Sequence, residues 1–328
     1  MGTLGMETFG AQSRQAERAI RTRPRHTIVA GIPQEPGHAK QFVKDGQGPR
    51  FNFDLQIETV SYICDRSNMI TSTFCLLQGI GRTTERRLWQ EGIITWSDFL
   101  AASSIRGIGA GRKALYDESI SEAQTHYIQD NARYFRLVLP QREQWRLYEW
   151  LRDRAVYLDI ETDSFGYITV VGLYGHGRFT SFVCGESLDA RQLADELSQY
   201  DLLVTFCGTT FDVPMLLSQY PGLPLDQPHI DLCFMGRQLG YRGGLKAIEA
   251  QLGMTRAEYL EGLNGHDAVL LWNRWRHSHD RNARERLLGY NEADCVNLER
   301  LADTFYCEMV RRLEVLPVQQ LDDRTDIG

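Results

Sequence analysis

The sequence predicts an α/β protein: a mixed sheet flanked by helices, preceded by a small all-α unit. Three observations predict it. Residues 156–160, 167–174, 179–183 and 201–206 read as strands, with helical patterns between them. From Gly244 onward the patterns are nearly all helical. Ahead of the first strand, a helix–glycine turn–helix segment occurs twice. Strand runs followed by mixed strand and helix argue for a mixed sheet covered by helices. At 328 residues, 42% of them hydrophobic, the chain exceeds what one core usually uses, so two domains are expected.

Taken in order, residues 1–68 differ from the rest. They carry Arg14, Arg18, Arg21, Arg23 and Arg25, then a Gly/Pro/Gln-rich stretch over residues 31–49. That composition favours a disordered or weakly ordered extension over a basic nucleic-acid arm. Glu7 and Glu17 interrupt the basic run and argue against a transit peptide. From Thr71 the texture becomes helical. Residues 76–93 read LLQGIGRTTERRLWQEGI, and residues 104–120 echo them as SIRGIGAGRKALYDESI. Between the two, Thr95 caps a short helix. Residues 69–125 are therefore the expected all-α unit. Residues 126–152 read as an amphipathic linking helix broken at Pro140. Together with the α/β part they make a unit over residues 126–312, and residues 313–328 are a tail. Within that unit, residues 175–177 are a hairpin turn and residues 187–200 a helix. A turn and a helix from Phe211 follow the strand at 201–206, and residues 229–232 are a short strand.

Bulk properties narrow the function classes. No apolar run approaches the roughly 18–20 residues that span a bilayer, and no secretory h-region is visible. The seven cysteines are odd in number and contain no CxxC. Neither a disulfide framework nor a zinc cluster fits their spacing, so a reducing cytoplasm is expected. Net charge is −7. A general nucleic-acid coat would be basic, so any such contacts must be local and partly offset by metal ions.

The candidate site is acidic. In VYLDIE, residues 156–161, side chains alternate between the two faces of a strand. Asp159 and Glu161 share one face at the strand's end and converge on one point. Hard cations such as Mg²⁺ take oxygen ligands, so the pair is a half-site; the plainer reading is a strand with one solvated face. Farther on, Leu287, Tyr290, Asp294, Leu298, Leu301 and Phe305 recur every three or four residues as a buried helical stripe. A carboxylate inside such a stripe needs a partner or a metal. Arg286 and Arg300 are the alternative partners close in sequence. Asp212 follows a strand and a glycine turn. With Thr210 as N-cap it lies in a first helical turn, where the helix dipole favours Asp in any case.

These residues together resemble the DEDD superfamily of 3′→5′ exonucleases, in its tyrosine variant. Asp159 and Glu161 are similar to its first motif, Phe211-Asp212 after VTFCGTT to its second, and residues 290–294 (YNEAD) to its third. The series YLDIET, YITVVGLY, LVTFCGTTFDVPML, HIDL, GGLKAIEAQLG and GYNEADCVNLERL resembles the YprB-like group of RNase H-like nucleases over about residues 155–305. A segment like residues 71–96 also accompanies that group. Two departures stand out: Asp163-Ser164 follow Thr162 where Gly is usual, and Cys207 stands where Asn is usual. The resemblance begins near Met69, where the composition changes, so the native start is expected at or near Met69.

The resemblance implies an RNase H-like fold and two-metal phosphodiester hydrolysis by Mg²⁺ or Mn²⁺ ions about 3.5–4 Å apart. It implies that Asp159 bridges both ions, that Glu161 and Asp294 complete the first ion's shell, and that Asp212 supports the second through water. Tyr290 orients the attacking water. The implied partner is DNA or RNA, entering as a single-stranded 3′ end. Asp163 is a less attractive ligand, and Asp231 and Asp267 are candidates to support the metal ligands from behind, for which a cap or surface role is the plainer reading.

A Gly-Ile-Gly turn that opens a helix aims bare N–H groups along a positive helix end, which suits phosphate. Gly79, Gly81, Arg82, Gly107 and Gly109 are the candidate backbone contacts. Arg86, Arg87, Arg106, Arg112 and Lys113 add charge beside the turns. The pattern resembles helix-hairpin-helix DNA-binding motifs, which read backbone rather than sequence; helix-capping glycines in a protein-interaction bundle are the plainer reading. Alternatives to an exonuclease are an endonuclease on the same fold and a non-catalytic nucleic-acid-binding protein that uses the fold as a scaffold.

Overall fold

The computed structural model describes residues 69–313. The extension expected over residues 1–68, and the tail from residue 314 on, lie outside the described residues. The first helices are short: α1 (Met69–Ser72), α2 (Arg82–Gln90), α3 (Trp96–Ala101), then the longer α4 (Ala110–Ile128). Thr95 and Asp98 form a reciprocal capping box that starts α3. The expected single linking helix is instead several pieces: α5 (Ala132–Val138), a 3₁₀ helix (Gln141–Leu147), α6 (Tyr148–Leu151) and a 3₁₀ turn. The first break falls before Pro140. Asp130 takes a left-handed φ of 55°, and the Asn131 side chain accepts from Tyr134 N–H to start a new helix.

The sheet contains β1 (Ala155–Thr162), β2 (Ile168–Gly175), β3 (Arg178–Val183), β4 (Leu202–Thr205) and β5 (His229–Asp231). Their order is β3-β2-β1-β4-β5. The hairpin strands run antiparallel, while β1, β4 and β5 are parallel. The helices are α7 (Ala190–Leu197), α8 (Asp212–Gln219), α9 (Leu232–Leu239), α10 (Leu245–Gln251), α11 (Gly265–Ser278) and the 32-residue α12 (Arg281–Arg312). Helix α7 starts at Ala190 rather than at residue 187 because Asp189 caps it.

Alternation along β1 divides the core. Val156, Leu158 and Ile160 pack with Leu193, Leu197 and Leu216 of α7 and α8. Ala155 and Tyr157 belong to the opposite core, with Leu298, Leu301 and Phe305 of α12. The face that carries Asp159 and Glu161 is therefore covered by α12, not solvated. The same core runs on through Trp145, Phe135, Trp96 and Phe74, so the N-terminal helices share apolar packing with the sheet.

A buried ionic knot reinforces that union. Arg146, Glu85 and Glu143 are at most 1% exposed. Arg146 bonds Glu85 at 2.7 Å and Glu143 at 3.1 Å. Glu85 also accepts from the Thr73 hydroxyl and Phe74 N–H. Asp231 caps α9, and Asp267 shares a capping box with Asn264, the roles expected of them. Cys75, Cys184, Cys207, Cys233 and Cys295 are free. Among the described residues, no helix is long and apolar enough to cross a membrane.

Removing Arg146 leaves buried Glu85 without its counter-ion and Glu143 with Arg82 and Arg142 only. Arg146→Ala is expected to destabilise the protein by about 3–5 kcal/mol, read as a lowered midpoint in urea unfolding. An unchanged midpoint would rule out the knot as a structural tie.

Candidate functional site

Three carboxylates converge beneath α12. One oxygen each of Asp159, Glu161 and Asp294 lies within 4.8 Å of the other two. Strand alternation aims the first pair at α12, and the buried stripe of α12 supplies the third. Asp212 is the first residue of α8, 4% exposed, and its Oδ1 accepts from Ile160 N–H at 3.2 Å. The N-cap is Phe211, one residue later than the expected Thr210. Asp212 is not one of the three that converge, but its charge raises the Asp159 carboxyl.

Burial dominates the electrostatics. It pushes the Asp159 carboxyl well above the usual range, helped by Asp294, Glu161 and Asp212. Burial, then Asp294, lifts Glu161 to about 8. Burial likewise lifts Asp212 to about 7, against the backbone hydrogen bonds it accepts. Asp294 is raised by burial but held down by Lys246 and Arg256. These groups lack positive charge. An all-oxygen donor set with that deficit fits a hard divalent cation.

The chain supplies two cations of its own. Arg256 pairs with Asp294 and, at 2.6 Å, with Glu249. Lys246 Nζ lies 3.6 Å from Asp294, donates to the Tyr290 hydroxyl, and sits 4.2 Å above the Tyr290 ring. The Arg partner of Asp294 is therefore Arg256, not Arg286 or Arg300. Tyr290 is buried, and burial raises its phenol, with Asp294, Glu161 and Asp159 adding to the shift.

Asn291 positions Asp159. Its Nδ2 donates to Asp159 Oδ2 at 2.8 Å. Gly172 pairs with Asp159 across β1 and β2, and a Cβ there would stand 2.0 Å from Asn291 Oδ1 and 2.9 Å from Cys295 Sγ. Glycine at 172 is thus what lets α12 approach the strand. Cys207 takes a left-handed φ of 62°, which Asn tolerates better; its N–H donates to Asp231. Asp163 accepts from Phe165 and Tyr167 N–H, a turn role.

Sequence reasoning missed Lys246, Glu249, Arg256, Asn291 and Gly172. Lys246 and Asn291 lie inside motifs already singled out. Arg256 gave no local signal, because its pairing with Asp294 is long-range.

The glycine turns form a separate feature. Gly79 and Gly107 have φ of 84° and 77°, and Gly81 and Gly109 are the N-caps of α2 and α4. Several neighbouring cations are engaged: Arg82 by Glu143, Arg87 by the Arg106 carbonyl, Arg106 by Glu91 and Lys113 by Asp117. Arg86 and Arg112 are exposed.

Residues 156–306 match the family model of the RNase_H superfamily. The sheet with its flanking helices is an RNase H-like fold. The match contains all four acids and Tyr290. A family B DNA polymerase from the hyperthermophilic archaeon Pyrobaculum calidifontis is similar at 16% identity and a TM-score of 0.37, over 48% of this chain. The similarity covers 24% of the polymerase chain. No curated protein matches.

Two predictions follow from the geometry. Gly172→Ala should push Asn291 off Asp159 and cost about 1–3 kcal/mol by overpacking; a melting temperature and a metal-binding isotherm equal to wild type would refute the close approach. The second concerns pH. Glu161 and Asp212 hold their protons more tightly folded than unfolded. In metal-free protein their contribution to stability is full below the ordinary carboxylate range and is lost as pH rises through about 7 and about 8. Divalent metal competes with those protons, so the rise in melting temperature on adding Mn²⁺ should grow from pH 6 to 8, each pH unit altering metal–proton competition by up to about tenfold per proton released. A pH-independent rise would exclude these carboxylates.

Proposed function

We propose that the protein is a metal-dependent nuclease that hydrolyses phosphodiester bonds of DNA or RNA, acting as a 3′→5′ exonuclease with two divalent ions, Mg²⁺ or Mn²⁺. The observation that carries this reading is the convergence of Asp159, Glu161 and Asp294, with Asp212 beside them and Tyr290 on the same wall. Asp159, Glu161 and Asp294 would hold metal directly, and Asp212 would support it. Bound divalent ions supply an activated water and neutralise phosphate charge.

The chain's own residues do the rest. Tyr290 accepts from Lys246, which leaves the phenol proton free to bond a water or a phosphate oxygen. Its raised pKa keeps that proton on, so it orients rather than abstracts. Asn291 fixes Asp159, and Arg256 fixes Asp294 against Glu249. Lys246 is the partly exposed cation of the site and suits a non-bridging phosphate oxygen.

The decisive assay uses 5′-labelled single-stranded DNA and RNA with Mg²⁺ or Mn²⁺. Wild type should give a ladder shortened from the 3′ end. Asp159→Ala and Asp294→Ala should each lose more than the roughly 10–100-fold that outer-shell partners cost. Activity that survives both substitutions, or wild type inert with either ion, sinks the enzyme reading. A non-catalytic binder would keep its affinity, or gain some, as the acids are removed.

A further inference from the structure

The parallel strands β1, β4 and β5 end on one edge of the sheet, where open α/β folds take ligands. The acid cluster occupies the β1 end. One cavity opens at the β5 end, and a second adjoins it. The first, of about 450 Å³, is lined by Thr209, Phe234, Arg237 and Arg142, among others. The second, of about 510 Å³, is lined by the glycine turn at residues 81–84. Both share Arg142 and Gln238 in their walls. Thr209 belongs to the loop that ends at Asp212, and Gln141 bonds its hydroxyl at 3.2 Å. The groove therefore begins beside the candidate site and ends at the N-terminal helices.

The lining chemistry is cationic and aromatic. Arg142 is 74% exposed, with its Nε 3.7 Å from Glu143 Oε1. Arg237 is exposed, has no carboxylate partner among the described residues, and lies over the Phe234 ring at 5.6 Å. Phe234 is 41% exposed. Arg82 anchors Nε on Glu143 and leaves Nη2 without a partner. Of the acids nearby, Glu143 is shared by Arg146, Arg82 and Arg142, and Asp231, in the cavity wall, accepts from Cys207, Thr209 and Cys233 N–H. Guanidiniums in excess of the carboxylates beside them, next to an exposed ring, suit alternating phosphates and bases, not an acidic or apolar peptide.

We propose that this groove is the track of a single-stranded polynucleotide, whose reacting end lies at the acid cluster and whose body runs past Phe234 and Arg237 to the glycine turn at residues 81–84. The proposal deepens the nuclease reading and rests on it for the position of the reacting end. The groove would make binding length-dependent in a chain that is acidic overall.

The test measures fluorescence anisotropy of 5′-labelled oligothymidylate and oligouridylate, each about 16 and about 4 nucleotides long, in Ca²⁺. The proteins are the full chain and the variants Phe234→Ala and Arg142→Ala/Arg237→Ala. Affinity for the long oligomers should fall about tenfold or more in each variant, with a shallower salt slope in the double variant. Hydrolysis of a dinucleotide and the melting temperature should stay at wild-type values. Long-oligomer affinity that is unchanged in both variants overturns the track, including the case in which a protein segment occupies the groove. The two readings separate in Asp159→Ala: if it still cleaves while groove variants lose affinity, the nuclease assignment of the acids fails and the track stands. If cleavage is lost but groove variants bind normally, the track fails alone.

Discussion

The interaction on which the rest depends is the mutual repulsion of carboxylates held together out of water. Asp159, Glu161 and Asp294 approach within 4.8 Å, and burial lifts each above its ordinary range. An arrangement of that kind is costly and persists only where surrounding structure over-determines it. Here the enforcing elements are identifiable. Strand β1 is central, paired on both sides, so its side-chain alternation is fixed. Gly172 lets α12 press close, and Asn291 then clamps Asp159. Arg256 and Lys246 offset part of the charge, most directly on Asp294, with which both pair. The remaining deficit faces Asp159 and Glu161, where a divalent ion would be most stabilised.

The N-terminal helices solve a different problem. Short helices cannot bury enough apolar surface alone. They borrow the sheet's core through Trp96, Phe135 and Trp145, and the Arg146 knot fixes their register against it. Because Glu85 is bound by both Arg146 and Thr73, the glycine turn before α2 is held by an interaction that also holds the 3₁₀ helix. The turn's position relative to the sheet edge is thus built in, not left to a linker.

Much of this was legible in the sequence where the signal is local. Period-2 alternation marked Asp159 and Glu161, and the 3.6-residue stripe marked Asp294 and Tyr290. Strand spans were read within one or two residues, because the hairpin is bracketed by glycine turns. Capping chemistry was only half legible: Thr95 announced α3, but Thr210 yielded to Phe211, and Asn131 broke a helix whose only visible breaker was Pro140. What stayed hidden is long-range. Nothing near Arg256 marks it as the partner of Asp294, since pairing 38 residues apart requires the fold. Gly172 reads as an ordinary strand residue until α12 is seen lying over it. Asp212 was the weakest member by sequence, because an Asp in a first helical turn needs no further reason.

The departures from the resembled motif bear on the same geometry. Cys207 holds a left-handed backbone that Asn would accept at lower cost, yet Asp231 binds Cys207 N–H and Thr209 N–H together. The loop is therefore fixed by its backbone and not by the residue 207 side chain, and Asp212 keeps its place at the end of it. The same carboxylate also accepts from Cys233 N–H at the start of α9. One carboxylate thus serves two ends: it fixes the loop that leads to Asp212, and it caps α9, the helix that carries Phe234 and Arg237. A chain of net charge −7 can present a cationic path only where arginines outnumber the acids beside them, and the sharing of Glu143 among Arg82, Arg142 and Arg146 is such a place.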